Sequence, residues 1–186
     1  MAREELTAPM RELGLHAWMQ APDWPFWKTG RPTDLTPDRE VRRTEQEVRR
    51  PGTHPQSGFK LVGGGQVGPA ALRGMQALHE LSQCGFSILP FDEPTGPTII
   101  EIFPRTLTGP VVKSDAMARE NFVDQLVLDP DHRAAAISSE DAFDTLLSAL
   151  RMAAASDELA RLRRELDYSS EGKIWTTEAP RIARGY

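Results

Sequence analysis

Thr98-Ile99-Ile100-Glu101-Ile102-Phe103 is the stretch on which the fold class turns. Three isoleucines, a threonine and a phenylalanine in six residues suit a pleated, half-buried surface far better than a helix. Upstream, a helical pattern runs from Pro69 to about Cys84, with Leu72, Met75, Leu78, His79 and Leu81 at helical spacing and Gly85 as its terminator. Downstream, helices are expected from about Ser114 to Leu128 and from Ser138 to about Ala155. The second has Phe143, Leu146, Leu147, Leu150 and Ala154 on its apolar side. Shorter strands are expected at Phe59 to Val62, Phe86 to Leu89 and Gly172 to Thr176, a further helix at Thr36 to Arg50, and a charged one at Asp157 to Asp167. Helices separating short strands imply an α/β fold with a central sheet, Thr98 to Phe103 as an interior strand and helices flanking it.

The same strand carries a charge. If it alternates, Ile99, Glu101 and Phe103 share one face, and a carboxylate there is costly unless it is paired or near the mouth of the sheet. The run Ser138-Ser139-Glu140-Asp141-Ala142-Phe143-Asp144 opens a helix with two aspartates one turn apart. A strand glutamate and an Asp-x-x-Asp at a helix start can converge on one point. Converging carboxylates hold Mg²⁺, which can cleave phosphodiesters. Glu101, Asp141 and Asp144 are therefore the candidate catalytic and metal-binding residues. The bland readings are a salt bridge for Glu101, with Arg105 as a nearby partner, and a capping box of Ser138 with Asp141. Asp144, at the flank of the apolar stripe, is harder to assign to a cap.

Composition sets the bounds. The chain has 186 residues, 39% hydrophobic, with a formal net charge of -5, so the whole molecule is no basic nucleic-acid magnet. Arg39, Arg42, Arg43, Arg49 and Arg50 cluster, but Glu40, Glu45 and Glu47 dilute them, which reads as a solvated helix. Cys84 is the single cysteine, consistent with a reducing, cytoplasmic setting and excluding a cysteine zinc site. No apolar run approaches membrane-spanning length, and no signal-peptide core follows Met1. Residues 1–36 form a separate aromatic, proline-rich segment with Trp18, Trp24 and Trp27, expected to pack on something; residues 37–186 form the main body. Gly63, Gly65 and Gly68 formally match a dinucleotide-binding glycine motif, with Asp92 near the place of the ribose-binding acid. The preceding strand is short and interrupted by Lys60, and Pro90 separates Asp92 from its strand, so a flexible strand-to-helix turn is the preferred reading.

Several stretches together resemble a family of predicted nucleases with a ribonuclease H-like fold, known as domain of unknown function four-two-nine. They are Phe59-Lys60-Leu61-Val62-Gly63-Gly64-Gly65-Gln66-Val67-Gly68 with Leu72-Arg73-Gly74-Met75, Pro90-Phe91-Asp92, Ile100-Glu101-Ile102-Phe103-Pro104-Arg105 with Leu107-Thr108-Gly109, and Glu140-Asp141-Ala142-Phe143-Asp144. Pro25-Phe26-Trp27, Arg42-Arg43-Thr44-Glu45 and Glu171-Gly172-Lys173-Ile174-Trp175 agree as well, so the resemblance covers most of the chain from about Trp24. The Asp-x-x-Asp helix is also similar to the last helix of Holliday-junction resolvases. The resemblance implies a Mg²⁺-dependent nuclease acting on nucleic acid, with Glu101, Asp141 and Asp144 as ligands and Arg105 or Lys113 steadying a phosphate. It also implies two earlier aspartate-bearing strands that this sequence lacks. The expectation is an incomplete ribonuclease H-like fold, first strands missing, with impaired catalysis and an exposed sheet edge open to homo-oligomerisation. The competing expectation is a non-catalytic remnant or interaction protein.

Overall fold

The computed structural model describes Phe26 and residues 41–62, 67–169 and 171–178. The aromatic segment 1–36, apart from Phe26, and the glycine turn at 63–66 lie outside the described residues. In chain order the elements are α1 (Arg43–Glu47), α2 (Gly68–Gln83), β1 (Ser87–Ile88), β2 (Thr98–Ile99), β3 (Glu101–Ile102), α3 (Pro104–Thr108), α4 (Ala116–Val123), α5 (Pro130–Ser138), α6 (Glu140–Ala154), α7 (Ser156–Leu159), a 3₁₀ turn (Leu166–Tyr168) and β4 (Ile174–Trp175). This is a mixed helix-and-sheet chain, compatible with the α/β class.

The sheet is smaller than the sequence suggests. Thr98 to Phe103 is not one interior strand. It breaks at Ile100 into β2, which pairs in parallel with β1 (Ser87 opposite Thr98, Ile88 opposite Ile99), and β3, which pairs with β4. Thr98 is exposed and Ile99 half-buried, whereas both residues of β1 are buried. Phe59 to Val62 is irregular and holds at most a single bridge residue, Lys60.

Helix ends follow their caps. Asp115, not Ser114, caps α4 by accepting from the Met117 and Ala118 amides. Ser139, not Ser138, caps α6, and its hydroxyl accepts from the Ala142 amide at 3.1 Å, so Asp141 is no capping-box partner. The helix expected to start at Thr36 is only α1 among the described residues, with Val41 and Arg42 outside it. The charged helix at 157–167 shortens to α7 followed by irregular chain and the 3₁₀ turn. Helix α5 has no counterpart in the sequence reading. Asp129 caps it and Pro130 takes its first position, which are both start signals.

The chain divides into two units, residues 1–101 with 163–174 and residues 102–162 with 175–186. In the first, Leu61 and Leu72 are buried together with Met75 and Phe26 against them, and Phe26 meets Phe59 edge-to-face at 5.5 Å. Gly68 opens α2 where a Cβ would lie 2.5 Å from the Lys60 carbonyl oxygen and 2.9 Å from that of Gly58. The helix start therefore approaches the 58–60 backbone as closely as only glycine permits. In the second unit Val123, Ala136, Phe143 and Leu147 form the core, drawn from α4, α5 and α6. No helix among the described residues is long and apolar enough to cross a membrane.

Tyr168 ties the 3₁₀ turn to α1. Its hydroxyl donates to Glu47 Oε2 at 2.6 Å, and the Arg43 guanidinium and Lys173 ammonium each lie 4.9 Å from its ring centroid. The Glu47 hydrogen bond, with burial second, pushes the phenol up to about 12. The folded value lies above the unfolded one of about 10, so this stabilisation is complete below pH ~10 and is lost as pH rises through about 12. Tyr168→Phe is expected to cost ~1 kcal/mol at neutral pH in urea denaturation, reduced because Glu47 is partly exposed, and to remove that alkaline limb.

Candidate functional site

The candidate residues fall on two structures. The first is built around Arg42. Its extended backbone precedes α1, and Glu45 at the third helical position reaches back to accept from the Arg42 amide at 2.9 Å. That hydrogen bond turns the Glu45 carboxylate inward, where it is 1% exposed. Glu45 Oε1 also accepts from Arg42 Nε at 2.8 Å and from the Gly58 amide at 2.9 Å. The guanidinium then reaches β3: Nη1 donates to Glu101 Oε2 at 2.8 Å and Nη2 to Glu101 Oε1 at 2.5 Å. Nη1 also donates to the Glu171 carbonyl oxygen at 3.0 Å. Gly172 lies beside the pair; its φ of +81° is the left-handed conformation that favours glycine, and a Cβ there would meet Arg42 Nη1 and Glu101 Oε2 at 3.4 Å, an ordinary contact. The Thr44 hydroxyl accepts from the Ile174 amide at 2.7 Å, so α1 and β4 are joined beside the ion pair.

This arrangement corrects two expectations. Arg42 is not part of a solvated helix face: its side chain is 16% exposed. Glu101 is salt-bridged, but to Arg42 and not to Arg105, whose Nη1 donates to the Val111 carbonyl oxygen at 2.6 Å. Burial works against the Arg42 charge, but the Glu101 hydrogen bonds and charge, aided by Glu45, outweigh it and hold its pKa above the ordinary arginine value. A bidentate guanidinium–carboxylate pair is among the strongest polar contacts a protein makes. Three segments far apart in the sequence, around Arg42, Glu101 and Glu171, thus supply one polar network. The spacing signal for it is Arg42-x-x-Glu45, readable as a cap; its partners across 59 and 129 residues have no local signature.

The second structure is on α6. Asp144 points to the loop before α4, and its Oδ2 accepts from Lys113 Nζ. The Asp144 side chain is 13% exposed and that of Lys113 37%. The loop is held by buried Arg119, which donates to the Lys113 carbonyl oxygen at 2.5 Å and, from Nε and Nη2, to that of Ile137 at 3.1 and 2.9 Å. Asp144 Oδ1 and Ser148 Oγ, one turn further along α6, are buried with no hydrogen-bond partner among the described residues. Asp141 is exposed at the start of α6. Lys113 is therefore engaged with a carboxylate, and Asp141 and Asp144 differ sharply in surroundings.

Both Glu101 oxygens face a guanidinium and Asp144 Oδ2 accepts from an ammonium, so an ion at either carboxylate would share it with a protein cation. Among the described residues no group of three or more His, Cys, Asp or Glu is placed to hold a metal. Asp92, the acid considered for a ribose, has its Oδ2 on the Ile88 amide at 2.9 Å, closing the turn after β1. Comparison with family models, with curated proteins and with solved structures finds no match for this chain.

Proposed function

We propose that this chain is a nuclease-like protein of ribonuclease H-like architecture in which protein cations have taken over the acidic residues that resemble metal ligands. On this reading Mg²⁺-dependent phosphodiester cleavage is impaired and the carboxylates serve the fold. The observation that carries it is the bidentate grip of Arg42 on Glu101. A metal entering there has to displace a guanidinium that is itself tied to Glu45 and to the Glu171 carbonyl, and a divalent ion beside a retained arginine meets like charge. The Lys113–Asp144 pair repeats the pattern on a second carboxylate. Of the three candidates only Asp141 is exposed, and a single solvated carboxylate competes poorly with water for Mg²⁺. Contact with nucleic acid and self-association through an exposed sheet edge are the partner readings that accompany this proposal.

The test is cleavage of single-stranded RNA and of branched DNA with Mg²⁺ or Mn²⁺, comparing the wild-type chain with Asp144→Asn and Glu101→Gln. The expected result is no metal-dependent turnover above that of the two variants. Robust cleavage by the wild type, lost in either variant, overturns the proposal and restores Glu101 and Asp144 as ligands.

A further inference from the structure

Arg42, Arg43, Thr44 and Glu47 each bond to the segment 165–174, 121 to 130 positions further along the chain. Arg42 Nη1 donates to the Glu171 carbonyl oxygen at 3.0 Å, and the Arg43 amide donates to Glu171 Oε2 at 3.0 Å. The Thr44 hydroxyl accepts from the Ile174 amide, and Glu47 accepts from the Tyr168 hydroxyl. Thr44, Tyr168 and Ile174 are all buried. Neither segment has the means to hold its shape alone. Helix α1 has five residues, well below the ~12–15 at which an isolated helix becomes even marginal in water. Residues 165–174 contain one 3₁₀ turn and the first residue of β4. The apolar cluster of the same unit, Leu61 and Leu72 with Phe26 and Met75, includes no residue of either segment. Hydrogen bonds from Arg42 to Glu101, from the Gly58 amide to Glu45, and from the Glu165 amide to the Pro90 carbonyl oxygen tie the two to the rest of the unit.

We propose that residues 42–47 and 165–174 form one clasp that opens and closes as a unit while α2 and its Leu61–Leu72 cluster stay folded. The opening is joint for a physical reason. Releasing 165–174 takes the partners of Arg43, Thr44 and Glu47 away from a helix too short to survive without them. Releasing α1 leaves the Ile174 amide and the Tyr168 hydroxyl without acceptors, and a buried donor so stranded is costly enough to bring the second segment out after the first. Segments held chiefly by polar bonds, outside the apolar cluster, belong to the low-stability end of a domain. Separate local contacts predict something different: each bond breaks by itself, and a change at one leaves the others as they were.

The experiment is native-state hydrogen exchange, read amide by amide by nuclear magnetic resonance at rising sub-denaturing urea, on wild type, Tyr168→Phe and Thr44→Val. The Arg42, Arg43, Gly58, Gly172 and Ile174 amides are expected to share one opening free energy and one urea dependence, both smaller than those of the interior amides of α2. Tyr168→Phe should speed exchange at Ile174 and Gly58, and Thr44→Val should speed it at Gly172 and Gly58, each on the order of fivefold, although none of these amides bonds the substituted side chain. Distinct opening energies among the five amides, acceleration confined to the neighbours of each substitution, or exchange of the clasp only together with α2 overturns the inference.

Discussion

Arg42→Met should lower stability by ~3–5 kcal/mol, the range for removing one partner of a buried ion pair. Two carboxylates lose their cation at once, and Glu45, at 1% exposure, has no route to solvent. It keeps the Arg42 and Gly58 amides as donors, which hold it in place without cancelling its charge. Glu101 is partly exposed and recovers some hydration, so Glu101→Gln should cost no more than ~1–2 kcal/mol. Arg42→Lys retains charge but not the planar fork that spans both Glu101 oxygens, and should fall between the two. Guanidinium denaturation of the three variants provides the ranking. A cost for Arg42→Met within ~0.5 kcal/mol of zero would mean that the network is a surface feature.

Phe143→Ala should cost ~3–5 kcal/mol, as large-to-small changes at fully buried aromatics do. Phe143 is 0% exposed at the centre of the α4–α5–α6 core, between Val123, Ala136 and Leu147. It meets Phe122 edge-to-face with ring centroids 5.8 Å apart, a contact worth ~0.5–1.5 kcal/mol beyond its area. The surrounding residues come from three helices and cannot all close on the void. Phe143→Leu leaves a smaller cavity and should cost less than half as much. Urea denaturation checks both, and equal costs would place the ring at a site that repacks freely.

What could be read from the sequence divides along physical lines. Apolar spacing located α2 and α6 to within a residue or two; α6 buries its stripe through Phe143 and Leu147, whereas α2 buries only Leu72 of its apolar positions and leaves Leu81 exposed. Adjacent cap residues could not be ranked. Ser114 and Asp115, or Ser138 and Ser139, offer the same chemistry one residue apart, and only backbone geometry chooses between them. Helix α5 has a cap signal at Asp129-Pro130, but its run of alanines carries little amphipathic pattern. The isoleucine-rich stretch was legible as β-forming. Its division between β1 and β4 as partners was not, since β preference says nothing about which strand lies alongside. At the candidate site, the charge on Glu101 demanded compensation and the sequence said so. The compensating residue lies 59 positions away within an arginine cluster whose composition reads as a solvent face. Likewise Lys113 and Asp144 are 31 residues apart, and nothing in either local pattern announces the pair.

The central claim is that the Glu101 and Asp144 carboxylates are held by Arg42 and Lys113 and not by a metal ion. A crystal of the wild-type chain soaked in Mn²⁺, as a stand-in for Mg²⁺, tests it through the anomalous signal of the ion. The account predicts no peak at either carboxylate, with the Arg42 guanidinium still spanning both Glu101 oxygens. A peak at roughly 2.1 Å from Glu101 or Asp144 oxygens, with Arg42 or Lys113 swung away, would contradict it.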